Sequence, residues 1–117
     1  MSEEEIREFV RRFYEALDAG DAETASALFP DGTKIYLWDG ITFTTQAEFR
    51  AWFVELRSTS DAARREVVRL EVDGNVAFVE VVLHASHRGE ERTVLLRHVF
   101  QFEGDKLVKV EVSIDPL

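Results

Sequence analysis

Apolar residues change their period partway along the chain. Ile6, Phe9, Val10, Phe13 and Leu17 recur at helical spacing and make one face of an amphipathic helix. Ser2 with Glu5 forms a capping box ahead of that run, and Gly20 stops it. Asp21 caps a short second helix, Ala22–Phe29, which ends in the turn Pro30-Asp31-Gly32. Thr33–Trp38 reads as a strand that turns at Asp39-Gly40 into a brief partner, Ile41–Phe43. Thr45 with Glu48 is a second capping box, opening a helix over Gln46–Arg57 with an aromatic-rich face of Phe49, Trp52, Phe53 and Leu56. Ser58–Asp61 is a polar loop.

Beyond that loop the period drops to two. Arg64–Val72, Asn75–Ser86, Glu91–Phe102 and Lys106–Ile114 alternate as strands, joined by minimal turns at Asp73-Gly74, Arg88-Gly89 and Gly104-Asp105. In the third of these, Arg92, Val94, Leu96, His98, Phe100 and Phe102 share one parity. Ala77, Val79, Val81, Leu83 and Ala85 form the inward set of the second, and Val108, Val110, Val112 and Ile114 that of the last. Adjacent Val67 and Val68 break the first strand's alternation. A β-bulge there brings Val67 and Arg65 onto the inner face with Leu70.

The order α-α-β-β-α-β-β-β-β predicts one α+β domain over residues 1–117: a curved antiparallel sheet packed on three helices as a cone. Many inward positions are Val or Ala, too small to fill the concavity, so a pocket is expected.

Composition narrows the function classes. A 45% hydrophobic and 32% charged chain fits a globular protein, not a disordered one. The net charge of −9 argues against nucleic acid and anionic membranes as partners. The absence of cysteine excludes disulfides, thiol nucleophiles and thiolate metal sites. Met1-Ser2-Glu3-Glu4-Glu5 does not resemble a targeting signal, and the expectation is a soluble protein, cytoplasmic on recombinant expression. His84 and His87 belong to no metal-ligand spacing, and each glycine punctuates a turn rather than a phosphate loop.

Four polar residues stand where the pattern calls for apolar ones: Tyr14, Asp18, Arg65 and His98. Each has a plain structural explanation: a rim tyrosine, an exposed aspartate, a surface arginine at a strand start and a satisfied core histidine. Together they fit better as two pairs. A buried Arg65 needs an anion, and Asp18 is the inward carboxylate within reach. His98 needs a partner for a ring nitrogen, and the Tyr14 hydroxyl can provide one. Two polar pairs in an aromatic pocket suit a flat, largely apolar ligand with a polar or anionic edge.

With these residues located, the whole chain resembles the NTF2-like (SnoaL/ketosteroid-isomerase-like) cone fold. More narrowly, the stretches EEEIREFVRRFYEALDAGD, LWDGITFT, EFRAWFVELRSTSDAARREV and TVLLRHVFQF resemble the de novo designed luciferases of the LuxSit type, built on that scaffold. The resemblance implies a cofactor-independent luciferase that uses O2 as co-substrate on a coelenterazine-type imidazopyrazinone, diphenylterazine foremost. It implies Arg65, Asp18, His98 and Tyr14 as the catalytic set. The walls would be Ile35, Leu37, Trp38, Phe49, Trp52, Phe53, Val81, Leu83, Val94, Leu96, Val110 and Val112, with no metal. The partner would be the small-molecule luciferin, not nucleic acid or membrane. Two other functions stay open. One is a natural NTF2-like isomerase or cyclase with Asp18 as base, although an aspartate held by an arginine is a poor base. The other is a binding or dimerisation module, monomeric or paired sheet to sheet through outward Val76, Phe78, Val82, Leu95 and Val99.

Overall fold

The computed structural model describes residues 1–59 and 62–116. In chain order the elements are α1 (Glu3–Asp18), α2 (Ala22–Ala27), β1 (Lys34–Tyr36), β2 (Thr42–Phe43), α3 (Gln46–Ser58), β3 (Ala62–Asp73), β4 (Val76–His87), β5 (Glu90–Glu103) and β6 (Lys106–Pro116). This is the expected order, with ends shifted by a residue or two. Of the polar loop expected at 58–61, Ser58 closes α3 and Thr59 caps it, while Ser60 and Asp61 lie outside the described residues.

Both capping boxes are formed. Glu5 N donates to Ser2 Oγ at 3.2 Å and Ser2 N to Glu5 Oε1 at 3.0 Å. Glu48 N donates to Thr45 Oγ1 and Thr45 N to Glu48 Oε1, each at 3.1 Å. These bonds satisfy amide groups that the first turn of a helix leaves without partners.

The six strands form one sheet in the order β2-β1-β6-β5-β4-β3. It is mixed, not wholly antiparallel as expected, because β1 runs parallel to β6. Thr33 Oγ1 helps to hold that junction by donating to the Leu107 carbonyl at 2.7 Å. Two irregularities bend the ladder. Between Val67 and Arg69 the register on β4 shifts, so Val68 is the extra residue, and Arg65, Val67 and Leu70 face the same side. Between Gln101 and Phe102 the register on β6 shifts as well. Phe102 therefore pairs with Leu107, and Leu107, 2% exposed, takes the inward place expected of Val108.

The core lies between the helices and the inner face of the sheet. Phe9 meets Phe102 and Phe13 meets Phe100 edge to face, with ring centroids 5.2 and 5.7 Å apart. Helix α1 also runs along the outer edge of β3, where Asp18 accepts from the Arg65 amide at 3.1 Å and Arg7 reaches the Leu70 carbonyl at 3.5 Å. The opposite face of the sheet carries ion pairs of Arg69 with Glu71 and of Arg97 with Asp115, around a half-exposed Phe78. Among the described residues no helix is long and apolar enough to cross a membrane.

Candidate functional site

The concave side of the sheet does not fill. A cavity of about 260 Å³ lies between it and the helices. Ten of the twelve expected wall residues line it: Ile35, Leu37, Trp38, Phe49, Trp52, Phe53, Leu83, Leu96, Val110 and Val112. Val81 and Val94 do not, because Val81 is wholly buried in the core and Val94 packs against that core from its margin.

Several wall residues escape a strand-centred reading. Phe13, Leu17 and Phe29 come from the helical layer, and their spacing marks them as apolar without saying whether they meet other side chains or empty space. Leu107 arrives through the register shift. Leu56, Ala85 and Ile114 complete the lining; the helical spacing of the α3 face finds Leu56, and inward parity on β4 and β6 finds the other two.

Two polar side chains reach the wall, Arg65 and His98. The bulge gives Arg65 its direction. Its side chain is 7% exposed, and its Nη1 donates to Asp18 Oδ1 at 3.1 Å. Asp18, at the end of α1 and 32% exposed, also accepts from the Arg65 backbone amide with both oxygens. It stands behind the guanidinium and does not line the cavity. Burial pulls the Arg65 pKa below its usual value, and the hydrogen bond and charge of Asp18 oppose that pull.

His98 sits at the centre of β5, with Phe100 beside it on the same face. Burial, reinforced by the positive charge of Arg65, pushes its pKa down to about 3, so the ring is neutral near pH 7. The Tyr14 ring lies edge-on to it at 5.5 Å between centroids. Burial raises the Tyr14 pKa well above its usual value, with Arg65 acting in the opposite sense. The expected hydrogen bond between these two residues is not made. The Tyr14 hydroxyl and His98 Nδ1 are both buried without a partner among the described residues, because an edge-to-face approach of the rings does not align donor with acceptor.

The result is a buried cation and a neutral imidazole facing an aromatic cavity, with the Tyr14 phenol buried behind the imidazole. In chemical terms this arrangement has the shape for a flat apolar molecule and a cation positioned to offset negative charge at one edge. Elsewhere, His84 faces outward with Nε2 3.5 Å from Glu66 Oε1. No group of three His, Asp or Glu among the described residues is arranged to hold a metal ion.

A curved sheet wrapped by three helices around a cavity defines the NTF2-like class. Within it the chain belongs to the SnoaL-like domain family, whose model matches residues 10–110. Among curated proteins none matches the chain by sequence. Solved structures share the fold. An NTF2-like protein of unknown function from Burkholderia pseudomallei is 21% identical with a TM-score of 0.86, the alignment covering 98% of this chain and 92% of that one. A putative SnoaL-like polyketide cyclase from Shewanella denitrificans is 11% identical at a TM-score of 0.85, with 97% and 92% covered. An LEH-like epoxide hydrolase from M. tuberculosis is 14% identical at 0.80, with 95% and 83% covered. At these identities the likeness concerns the fold alone.

Proposed function

We propose that the chain is a cofactor-independent luciferase that oxidises a coelenterazine-type imidazopyrazinone, diphenylterazine foremost, with molecular oxygen. The observation that carries this reading is Arg65, a cation 7% exposed on the wall of an otherwise aromatic and aliphatic cavity, anchored from behind by Asp18. The luciferin is flat and apolar with one ionisable carbonyl edge. Loss of its ring N–H proton places negative charge on that edge, and Arg65 stabilises it. His98, on the cavity wall, hydrogen-bonds the ring edge, and the Tyr14 ring packs against the imidazole from outside the wall. His98 holds protons too weakly to keep this one, so the proton passes to solvent water at the opening of the cavity.

The anion then adds O2 at the carbon beside the carbonyl, forming a peroxide. The far peroxide oxygen attacks the carbonyl carbon and displaces the ring nitrogen, which closes a dioxetanone. Its O–O and C–C bonds break. Carbon dioxide leaves with one oxygen of O2 and the old carbonyl oxygen, and the other oxygen of O2 stays in the excited amide, which emits. Dry, closely packed walls limit quenching by water. The only partner required is the luciferin, and O2 is the co-substrate.

Mixing the purified protein with diphenylterazine in air tests this reading. The protein emits light, and Arg65→Ala lowers the yield by about 10²-fold, the loss typical of removing one charge-stabilising donor, while the circular dichroism spectrum stays the same. A dark wild type, or an undiminished Arg65→Ala variant, would overturn it. The cyclase or isomerase alternative asks Asp18 to act as a base. Its oxygens already accept three hydrogen bonds from Arg65, and it is not on the cavity wall.

A further inference from the structure

The cavity is small for such a ligand. Its volume of about 260 Å³ falls below the roughly 300–1,000 Å³ of pockets that enclose a drug-sized molecule. A luciferin bearing several aryl arms therefore leaves part of itself outside the walls, and at the opening it meets Trp38. This side chain lines the cavity and is also 44% exposed. It occupies the second position of the turn Leu37–Gly40. Gly40 N donates to Leu37 O at 3.1 Å, Leu37 N to Ile41 O at 2.9 Å and Ile41 N to Asp39 Oδ1 at 3.2 Å. Turns of this kind are built from small and polar residues, and nothing in the local backbone calls for an indole. Isolated exposed apolar residues are ordinary on protein surfaces, as Val54 at 60% shows. Trp38 differs in having one part of its surface in the cavity and another in water, on a hydrogen-bonded turn that buried Leu37 ties to the core.

We propose that Trp38 selects the luciferin by stacking on the aryl arm that the cavity cannot hold, closing the opening over it. The identity of the ligand rests on the luciferase reading, whereas the selection concerns binding and is measurable without light. Titration calorimetry under argon gives dissociation constants for diphenylterazine and for analogues that each lack one aryl arm, with wild type, Trp38→Ala and Trp38→Phe. Trp38→Ala weakens the parent compound about tenfold, the scale of one lost aromatic pair, and Trp38→Phe keeps most of the affinity. For the analogue that lacks the projecting arm, Trp38→Ala changes the constant by less than about twofold, since the contact is already gone. An equal loss for the parent and every analogue, or no loss for the parent, overturns the proposal, and failure of the parent to bind wild type overturns it together with the luciferase reading. Arm-selective binding without light in air sinks the luciferase reading alone. Light from a protein whose Trp38→Ala variant binds every compound as wild type does sinks the selection alone.

Discussion

Neutral His98 dictates how the protein answers acid. Its pKa is 6.5 when solvated and about 3 in the fold. Between those values the unfolded chain takes up a proton that the folded chain refuses. The stability due to the neutral ring is therefore fully present above pH 6.5 and is lost as pH falls toward 3. The slope approaches about 1.4 kcal/mol per pH unit. Thermal melts of wild type and His98→Phe at pH 7, 6, 5 and 4 should diverge, wild type losing more with each step. Parallel curves would show that the imidazole is not held neutral. Of the four candidate residues, the positions of Arg65 and His98 are legible in the chain, because parity and the adjacent valines determine which way they point. The geometry between His98 and Tyr14 is not, since the angle between two rings depends on how α1 rolls on the sheet, and no periodicity encodes that roll.

At the scale of elements, α1 and β3 meet through Asp18, which binds both the guanidinium and the backbone amide of Arg65. Removing that carboxylate leaves a buried cation without its anion. Asp18→Ala should lower stability by about 2 kcal/mol, less than for a fully buried pair because Asp18 is 32% exposed. Adding Arg65→Leu to Asp18→Ala should restore part of that stability and, under the luciferase proposal, leave the protein dark. Urea unfolding of the single and double variants measures it, and a double variant weaker than either single would contradict the pairing. The capping boxes and minimal turns declare the helices and hairpins in advance, since each is a local hydrogen-bonding arrangement. The parallel partnership of β1 with β6 is less visible. It joins a three-residue strand to one far along the chain, and short apolar runs do not specify a distant neighbour. Leu107 and Val108 are adjacent and both apolar, so alternation alone cannot say which of them the bulge turns inward.

For the molecule as a whole, an unfilled cavity sets stability against binding. Val112→Phe places a ring into that space. It should raise the melting temperature by about 4–8 °C, the shift that goes with 1 kcal/mol in a domain near this size, and, under the luciferase proposal, abolish light with diphenylterazine. A variant that gained stability and kept its light would mean that the ligand binds elsewhere. The sheet ends on one side in the two residues of β2 and on the other in the twelve of β3. Arg7 and Asp18 of α1 occupy hydrogen-bonding groups along β3, and the same helix contributes Phe13 and Leu17 to the chamber. The chamber and the guarded edge of β3 thus have a common sentry. A lesion that loosens α1 would bare that edge to neighbouring molecules and breach the chamber together.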